Sequence, residues 1–241
     1  MSSSEKNLII VTGASSGIGE AISRMLLENE YRVLGLARDF TRCSIAHKNF
    51  QSIETDLSDI DNLEAKLKPV LATVQDSLRG VVLNAGIGRM GYLEQLSVAD
   101  IQQTMDTNFV SHAILSKLVL PLLKRGDAIS DLVFIGSESA LRGERQGSIY
   151  CASKFALRGF AQALREECGK SAVRVGIINP GAVRTPFFDK LHFEPGSGPD
   201  NAIAPEDVAQ AVLAMLNARV GTVIDEINLS PMNKVWQKRG A

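Results

Sequence analysis

The chain has 241 residues, 45% of them apolar and 22% charged, with a formal net charge of −1. That length fits one large domain able to bury its core without disulfides or metals. Near-neutral charge argues against general nucleic-acid binding, and no apolar run approaches the ~18 residues of a membrane helix. The opening "MSSSEKNLIIVTG" carries too short an apolar run for a secretory leader and reads as a first strand. Cys43, Cys151 and Cys168 are widely spaced without a C-x-x-C pair, and His47, His112 and His192 are scattered. Free thiols, no metal site and a cytoplasmic location are the expectation.

Apolar, β-branched runs alternate with amphipathic stretches along the chain. "NLIIVT" predicts a first strand, "GEAISRMLLENE" a helix, "YRVLGLA" a second strand and "FQSIETD" a third. "SDIDNLEAKLKPVLATV" has apolar residues at helical spacing, and "LRGVVLN" reads as a fourth strand. "SVADIQQTMDTNFVSHAILSKLVLPLLKR" predicts one long helix in which Pro121 makes a kink or starts a further segment. "SDLVFIGS", helical "IYCASKFALRGFAQALREECG" and "AVRVGIIN" follow, then a helix "PEDVAQAVLAMLNA" opened by Pro205 and a seventh strand "GTVIDEINL". This alternation implies a doubly wound α/β domain over residues 1–241, with a seven-stranded parallel sheet and helices on both faces. The long connection at about 186–204, rich in proline and glycine, reads as a lid over a site.

The first strand–helix turn, "TGASSGIG", concentrates the chemistry. Gly13 suits a tight turn, while Gly17 and Gly19 let backbone approach a phosphate and let helix pack on strand. The helix start presents unpaired N–H groups and a positive dipole end to an anion, and Ser15 and Ser16 add hydroxyl donors.

With its neighbours this turn closely resembles the cofactor motif of the short-chain dehydrogenase/reductase family, and the resemblance recurs in order along nearly the whole chain. Asp56 and Leu57 match the position that family sets against adenine. Asn84, Ala85 and Gly86 match its N-N-A-G element, with Leu83 in place of the first Asn. "YCASK" at Tyr150–Lys154 matches Y-x-x-x-K, and "NPGAVRT" at Asn179–Thr185 matches the segment around the nicotinamide. The resemblance implies a Rossmann-type fold and nucleotide contacts from Gly13, Ser15, Ser16, Gly17, Ile18, Gly19, Asn84, Ala85, Gly86, Pro180, Gly181, Val183 and Thr185.

The end of the second strand bears on which nucleotide is held. Ala37 stands at the family's acidic position, so no carboxylate there repels a ribose 2′-phosphate, and Arg38 follows it. A guanidinium grips a phosphate bidentately, which favours NADP, with Arg42 as a possible helper and Asp39 as the conflicting signal.

Moving hydride between a nicotinamide and a carbonyl carbon requires a proton for the oxygen. Tyr150 and Lys154 share one helix face, and the ammonium is expected to lower the phenol's pKa, together with the cofactor and local hydrogen bonds. By the resemblance Tyr150 is the general acid/base and Lys154 also holds the nicotinamide ribose. Ser137, favoured over Ser139, binds the substrate oxygen, and the Asn108 main chain serves the proton path.

The reading is therefore an NADP-dependent oxidoreductase acting on a small carbonyl or alcohol, with no metal, nucleic-acid or membrane partner. A nucleotide-sensing binding protein on the same fold is the alternative. Phe187, Phe188, Leu191 and Phe193 either wall the substrate or pack inward. Arg142, Arg145 and Gln146 read as a solvated loop. A stripe of Ala152, Ala156, Phe160, Ala163 and Leu164 either faces the sheet or serves a homodimer or homotetramer that the resemblance implies.

Overall fold

The computed structural model describes residues 7–125 and 128–239; Met1–Lys6, the start of the stretch read above as lacking a leader, lie outside them. The strands are β1 Leu8–Thr12, β2 Arg32–Ala37, β3 Phe50–Glu54, β4 Leu78–Leu83, β5 Ser130–Ile135, β6 Val173–Pro180, β7 Phe193–Pro195, β8 Glu226–Leu229 and β9 Trp236–Lys238. The α-helices are α1 Gly17–Glu28, α2 Ile60–Val74, α3 Val98–Met105, α4 Ser111–Leu123, α5 Ser148–Glu167 and α6 Pro205–Leu216.

Seven strands pair in the order β3-β2-β1-β4-β5-β6-β8, all parallel. The chain first winds from β1 out to β3, then returns to β4 and winds the other way. That reversal opens a crevice beyond the carboxyl ends of β1 and β4, the ligand position of open parallel sheets. Strand β1 shows why both faces are covered. Leu8 and Ile10 point to a core shared with α2, α4 and α5, whereas Ile9 and Val11 point to one shared with α1 and α6.

The N-terminal-side edge of this sheet is held by charge. Arg174 Nε and Nη2 donate to Asp131 at 2.7 and 3.0 Å, and Arg174 also donates to the carbonyls of Leu216 and Ala218 at the C-terminal end of α6. Arg79 completes the triad on Asp131. Cations on the open carbonyls of a helix C-terminus are favourably placed against its dipole.

Two sequence expectations need correction, and one element is added. Helix α4 runs through Pro121 to Leu123, and the long helical stretch is interrupted earlier, by a π-helical turn at Asp106–Val110. Proline in a final turn disturbs little of the helix that remains, whereas the wider turn rotates Asn108 inward. The expected strand "GTVIDEINL" is regular only over Glu226–Leu229. Finally, the connection after β6 contains a short strand that the sequence reading did not place: β7 pairs antiparallel with β9 of the tail, Phe193 opposite Lys238 and Pro195 opposite Trp236. The apolar stripe on α5 divides, with Leu164 and Phe160 joining the core, Ala156 half-buried, and Ala152 and Ala163 exposed.

Candidate active site

Gly13 and Gly17 have φ of +66° and +54°, values that a side chain would resist. At Gly19 an added Cβ would stand 2.1 Å from the Gly13 carbonyl oxygen, so the turn closes on itself only without side chains. Ser16 precedes α1 with its hydroxyl unused as a cap, which leaves that hydroxyl and the first helical N–H groups for an anion. Thr12, absent from the sequence reading, locks the floor. Its hydroxyl oxygen accepts from the N–H groups of Asn84 and Ala85 at 2.8 and 2.9 Å, while Asn84 Nδ2 donates to the Thr12 carbonyl.

At the end of β2, Arg38, Asp39 and Arg42 are exposed. The Asp39 carboxylate accepts from the Thr41 N–H at 2.7 Å and the Thr41 hydroxyl at 3.0 Å, bonds that hold its pKa below the usual range. Asp56 is likewise turned onto Ser58, and Leu57 beside it is buried.

Ser137 leaves β5 with its Oγ accepting from the Ser139 N–H at 3.1 Å, so its own proton remains to be donated. The Ser139 hydroxyl faces Glu144 instead, at 3.3 Å. Tyr150 and Lys154 lie on the first turns of α5, 7% and 4% exposed. Lys154 Nζ donates to the Ile135 carbonyl at 3.1 Å and stands 5.9 Å from the Tyr150 ring centroid. Burial pushes the ammonium down to about 8.

The protein's own groups raise the phenol, whereas the expected lowering is assigned to Lys154, the cofactor and local hydrogen bonds together. Burial pushes Tyr150 up to about 12; a hydrogen bond with Ser137 lowers it, while Cys151, Glu144 and Glu138 raise it further. Burial is the main cause, and Glu144 and Glu138 add their charge from a loop whose position the sequence does not reveal. Asn108, from the π-helical turn, clasps the Ile87 backbone, accepting its N–H at 2.8 Å and donating to its carbonyl at 3.0 Å. Its Nδ2 also reaches Ser153 Oγ at 3.1 Å, and that hydroxyl donates to the Tyr150 carbonyl at 2.7 Å.

The segment after β6 and the tail form the outer wall. Thr185 N-caps a short 3-10 turn, Pro186–Lys190. Phe188, Leu191 and Ala182 pack into their own small core, whereas Phe187 turns to Tyr150 with ring centroids 5.9 Å apart. Phe187 is placed so closely over Gly88 that a Cβ there would meet its Cζ at 2.5 Å. Trp236 closes the aromatic group from the tail, 5.9 Å from Phe188 and 5.2 Å from Phe193. Lys234, beside it, bridges Glu138 and Glu144. Arg145 is exposed, as expected of a solvated loop, and it stacks on Tyr92 at 5.4 Å and donates to its hydroxyl.

These groups enclose one cleft of about 1720 Å³. Of the residues named from sequence as nucleotide-binding or catalytic, Gly19 and Asn108 lie behind its wall and the others line it. Glu138, Glu144, Lys234 and Trp236 line it as well, brought by contacts too distant in sequence for any local pattern to signal.

The chain matches the short chain dehydrogenase family over residues 7–194. It is a short-chain dehydrogenase/reductase. It is 30% identical over 240 residues to the sepiapterin reductase of Chlorobaculum tepidum, covering 94% of this chain and 96% of that one. Among solved structures it resembles an alcohol dehydrogenase from the archaeon Thermococcus sibiricus complexed with 5-hydroxy-NADP, with a TM-score of 0.84 at 28% identity, covering 95% and 98% of the two chains. The serine dehydrogenase of Escherichia coli is similar at a TM-score of 0.78 and 26% identity, covering 92% and 96%. This short-chain dehydrogenase/reductase is thus an NAD(P)-dependent oxidoreductase. Among its described residues no helix is long and apolar enough to cross a membrane.

Proposed function

We propose that the enzyme interconverts a small carbonyl compound and its alcohol with NADPH as the preferred hydride carrier and Tyr150 as the general acid/base. The observation that carries this reading is the grouping of Ser137, Tyr150 and Lys154 at one end of a cleft whose other end is a glycine turn under a helix N-terminus. The glycine cradle fits a dinucleotide pyrophosphate, since Gly13, Gly17 and Gly19 leave space where side chains would stand. When bound, the nucleotide supplies or takes the hydride.

The chain's own residues then manage the proton. A phenol held near 12 is protonated at neutral pH, so Tyr150 is ready to donate to a developing alkoxide. Ser137, its lone pair engaged by the Ser139 N–H, directs its hydroxyl proton to the same oxygen. Lys154 supplies positive charge beneath the ring, and Asn108 fixes the Ile87 backbone at the cleft wall. In the oxidising direction Tyr150 accepts a proton, which its high pKa opposes until positive charge accumulates nearby.

Preference for NADP is supported by Arg38 at the end of β2 and by the engagement of Asp39 with Thr41, which turns that carboxylate away from the role of a ribose acceptor. The segment at 186–204 serves as the lid over the carbonyl end. Purified protein should oxidise NADPH faster than NADH with members of a small-carbonyl panel. Tyr150→Phe should lower kcat by about 10²–10⁴-fold and leave NADPH affinity nearly unchanged. Retained turnover in that variant removes Tyr150 from its role.

A further inference from the structure

Among the described residues two that are not glycine have a positive φ, Glu30 at +66° and Gln146 at +61°. Glu30 is exposed and ends α1 in a common way, its own N–H and that of Tyr31 closing back on the Leu27 and Leu26 carbonyls at 3.3 and 3.0 Å. Gln146 is different. It is the third residue of the turn Glu144–Gly147, which the Gly147 N–H closes on the Glu144 carbonyl at 3.1 Å. A positive φ at that position normally selects Gly or Asn. A bulkier residue there is strained, and it persists only where its surroundings impose the conformation. They do so here: the Gly91 N–H donates to the Gln146 carbonyl at 2.8 Å, and Tyr92 beside it carries the Arg145 stack. The loop after β4 thus grips the turn at two successive residues.

Glycine would relieve this strain but would leave no side chain. The glutamine that stands there is half-buried, unlike the solvated loop expected of it, and lines the cleft four residues before Tyr150. Its polar neighbours are engaged or exposed. Ser139 faces Glu144, Lys234 bridges Glu138 and Glu144, Arg145 lies on Tyr92, and Arg142 is exposed. The Gln146 amide has no hydrogen-bond partner among the described residues. An amide both donates and accepts without carrying charge, so it suits a hydroxyl or a keto oxygen equally. We infer that Gln146 is a specificity residue whose amide holds a second, neutral oxygen of the substrate close to the reacting carbonyl. The substrate class is then a hydroxy- or oxo-carbonyl compound rather than a simple ketone or aldehyde. The inference rests on the reading that Ser137 and Tyr150 act on a carbonyl.

Acetoin, which carries a hydroxyl beside its carbonyl, and butanone, which lacks it, test this with NADPH. Wild-type enzyme should favour acetoin. Gln146→Gly should lower kcat/KM for acetoin about 3–10-fold, the scale of one hydrogen bond, and change that for butanone less than about twofold. Freed of strain, the same variant should melt about 2–4 °C higher. Gln146→Leu keeps the stem and the strained backbone without the amide, so it should lose the preference equally while its Tm stays near wild type. NADPH Kd should be unchanged in both. A purely structural residue would give the higher Tm in the Gly variant with the preference for acetoin intact, and that result overturns the proposal. So does a wild-type enzyme that does not favour acetoin over butanone. A second arm needs no turnover. With NADP bound, acetoin should shift the Gln146 side-chain amide resonance, assigned by its loss in Gln146→Leu, and butanone should not. If no carbonyl is reduced but the amide responds to acetoin, the catalytic reading fails and the binding site stands. An amide that acetoin leaves unmoved overturns the proposal whatever the turnover.

Discussion

Lys234 Nζ lies 2.5 Å from Glu138 Oε1 and 3.6 Å from Glu144 Oε1, joining the tail to the loop that follows Ser137. Both carboxylates push the Tyr150 phenol up, and Lys234 is the cation set against them. In Lys234→Met their field on the phenol is no longer offset. The apparent pKa for alcohol oxidation should move upward, and KM for the carbonyl should rise about three- to fivefold, the scale of a partly exposed ion pair. A pH–rate profile indistinguishable from wild type would remove Lys234 from any influence on Tyr150.

In the proposed reading Arg38 carries the nucleotide preference. Losing a charge-assisted contact to a 2′-phosphate is worth about 1.5–3 kcal/mol. Arg38→Ala should therefore raise KM for NADPH by about 10–100-fold and leave KM for NADH almost constant. Steady-state kinetics with both nucleotides checks this, and an equal loss for both would mean that Arg38 does not read the phosphate.

The Gly88–Phe187 contact sets the space above Tyr150. Gly88→Ala places a Cβ at 2.5 Å from Phe187 Cζ, and the ring must swing away. Overpacking of this kind costs about 1–3 kcal/mol. The variant should melt earlier and show an altered KM for the carbonyl, with NADPH binding preserved. Adding Phe187→Ala should return most of the stability, which a thermal melt of the double variant reads directly.

Acid stability gives a fourth expectation. Folding depresses His112 from 6.5 to about 3, so the unfolded chain binds the proton more tightly. The stability this residue contributes is fully present above pH 6.5 and is lost as pH falls through that window toward 3. Denaturant melts at descending pH should show a shallower decline in His112→Gln than in wild type. Equal slopes would contradict the depressed pKa.

The sheet and most helices are legible in the sequence because each depends on a local period: near-continuous apolar strands, and helices with one apolar stripe. The glycine turn is legible for the same reason, since Gly13, Gly17 and Gly19 act within a few residues of one another. The π-helical turn is hidden, because every residue from Asp106 to Val110 is compatible with an ordinary helix and only packing widens the turn. Pairing of β7 with β9 joins three-residue segments far apart in the chain, too short to show alternation. The direction of the Tyr150 shift could not be read either. It depends on burial and on Glu138 and Glu144, whereas the motif displays only the lysine one turn away.

Thr12 ties the tips of β1 and β4 through one oxygen that accepts two backbone N–H groups. The ledge under the nucleotide is therefore built during folding, before any ligand arrives, and little chain entropy remains to be lost there on binding. Thr12→Val, close in size but without the acceptor, would turn that ledge into a surface each incoming nucleotide must first assemble, weakening affinity through disorder in the free enzyme while every direct contact in the complex survives.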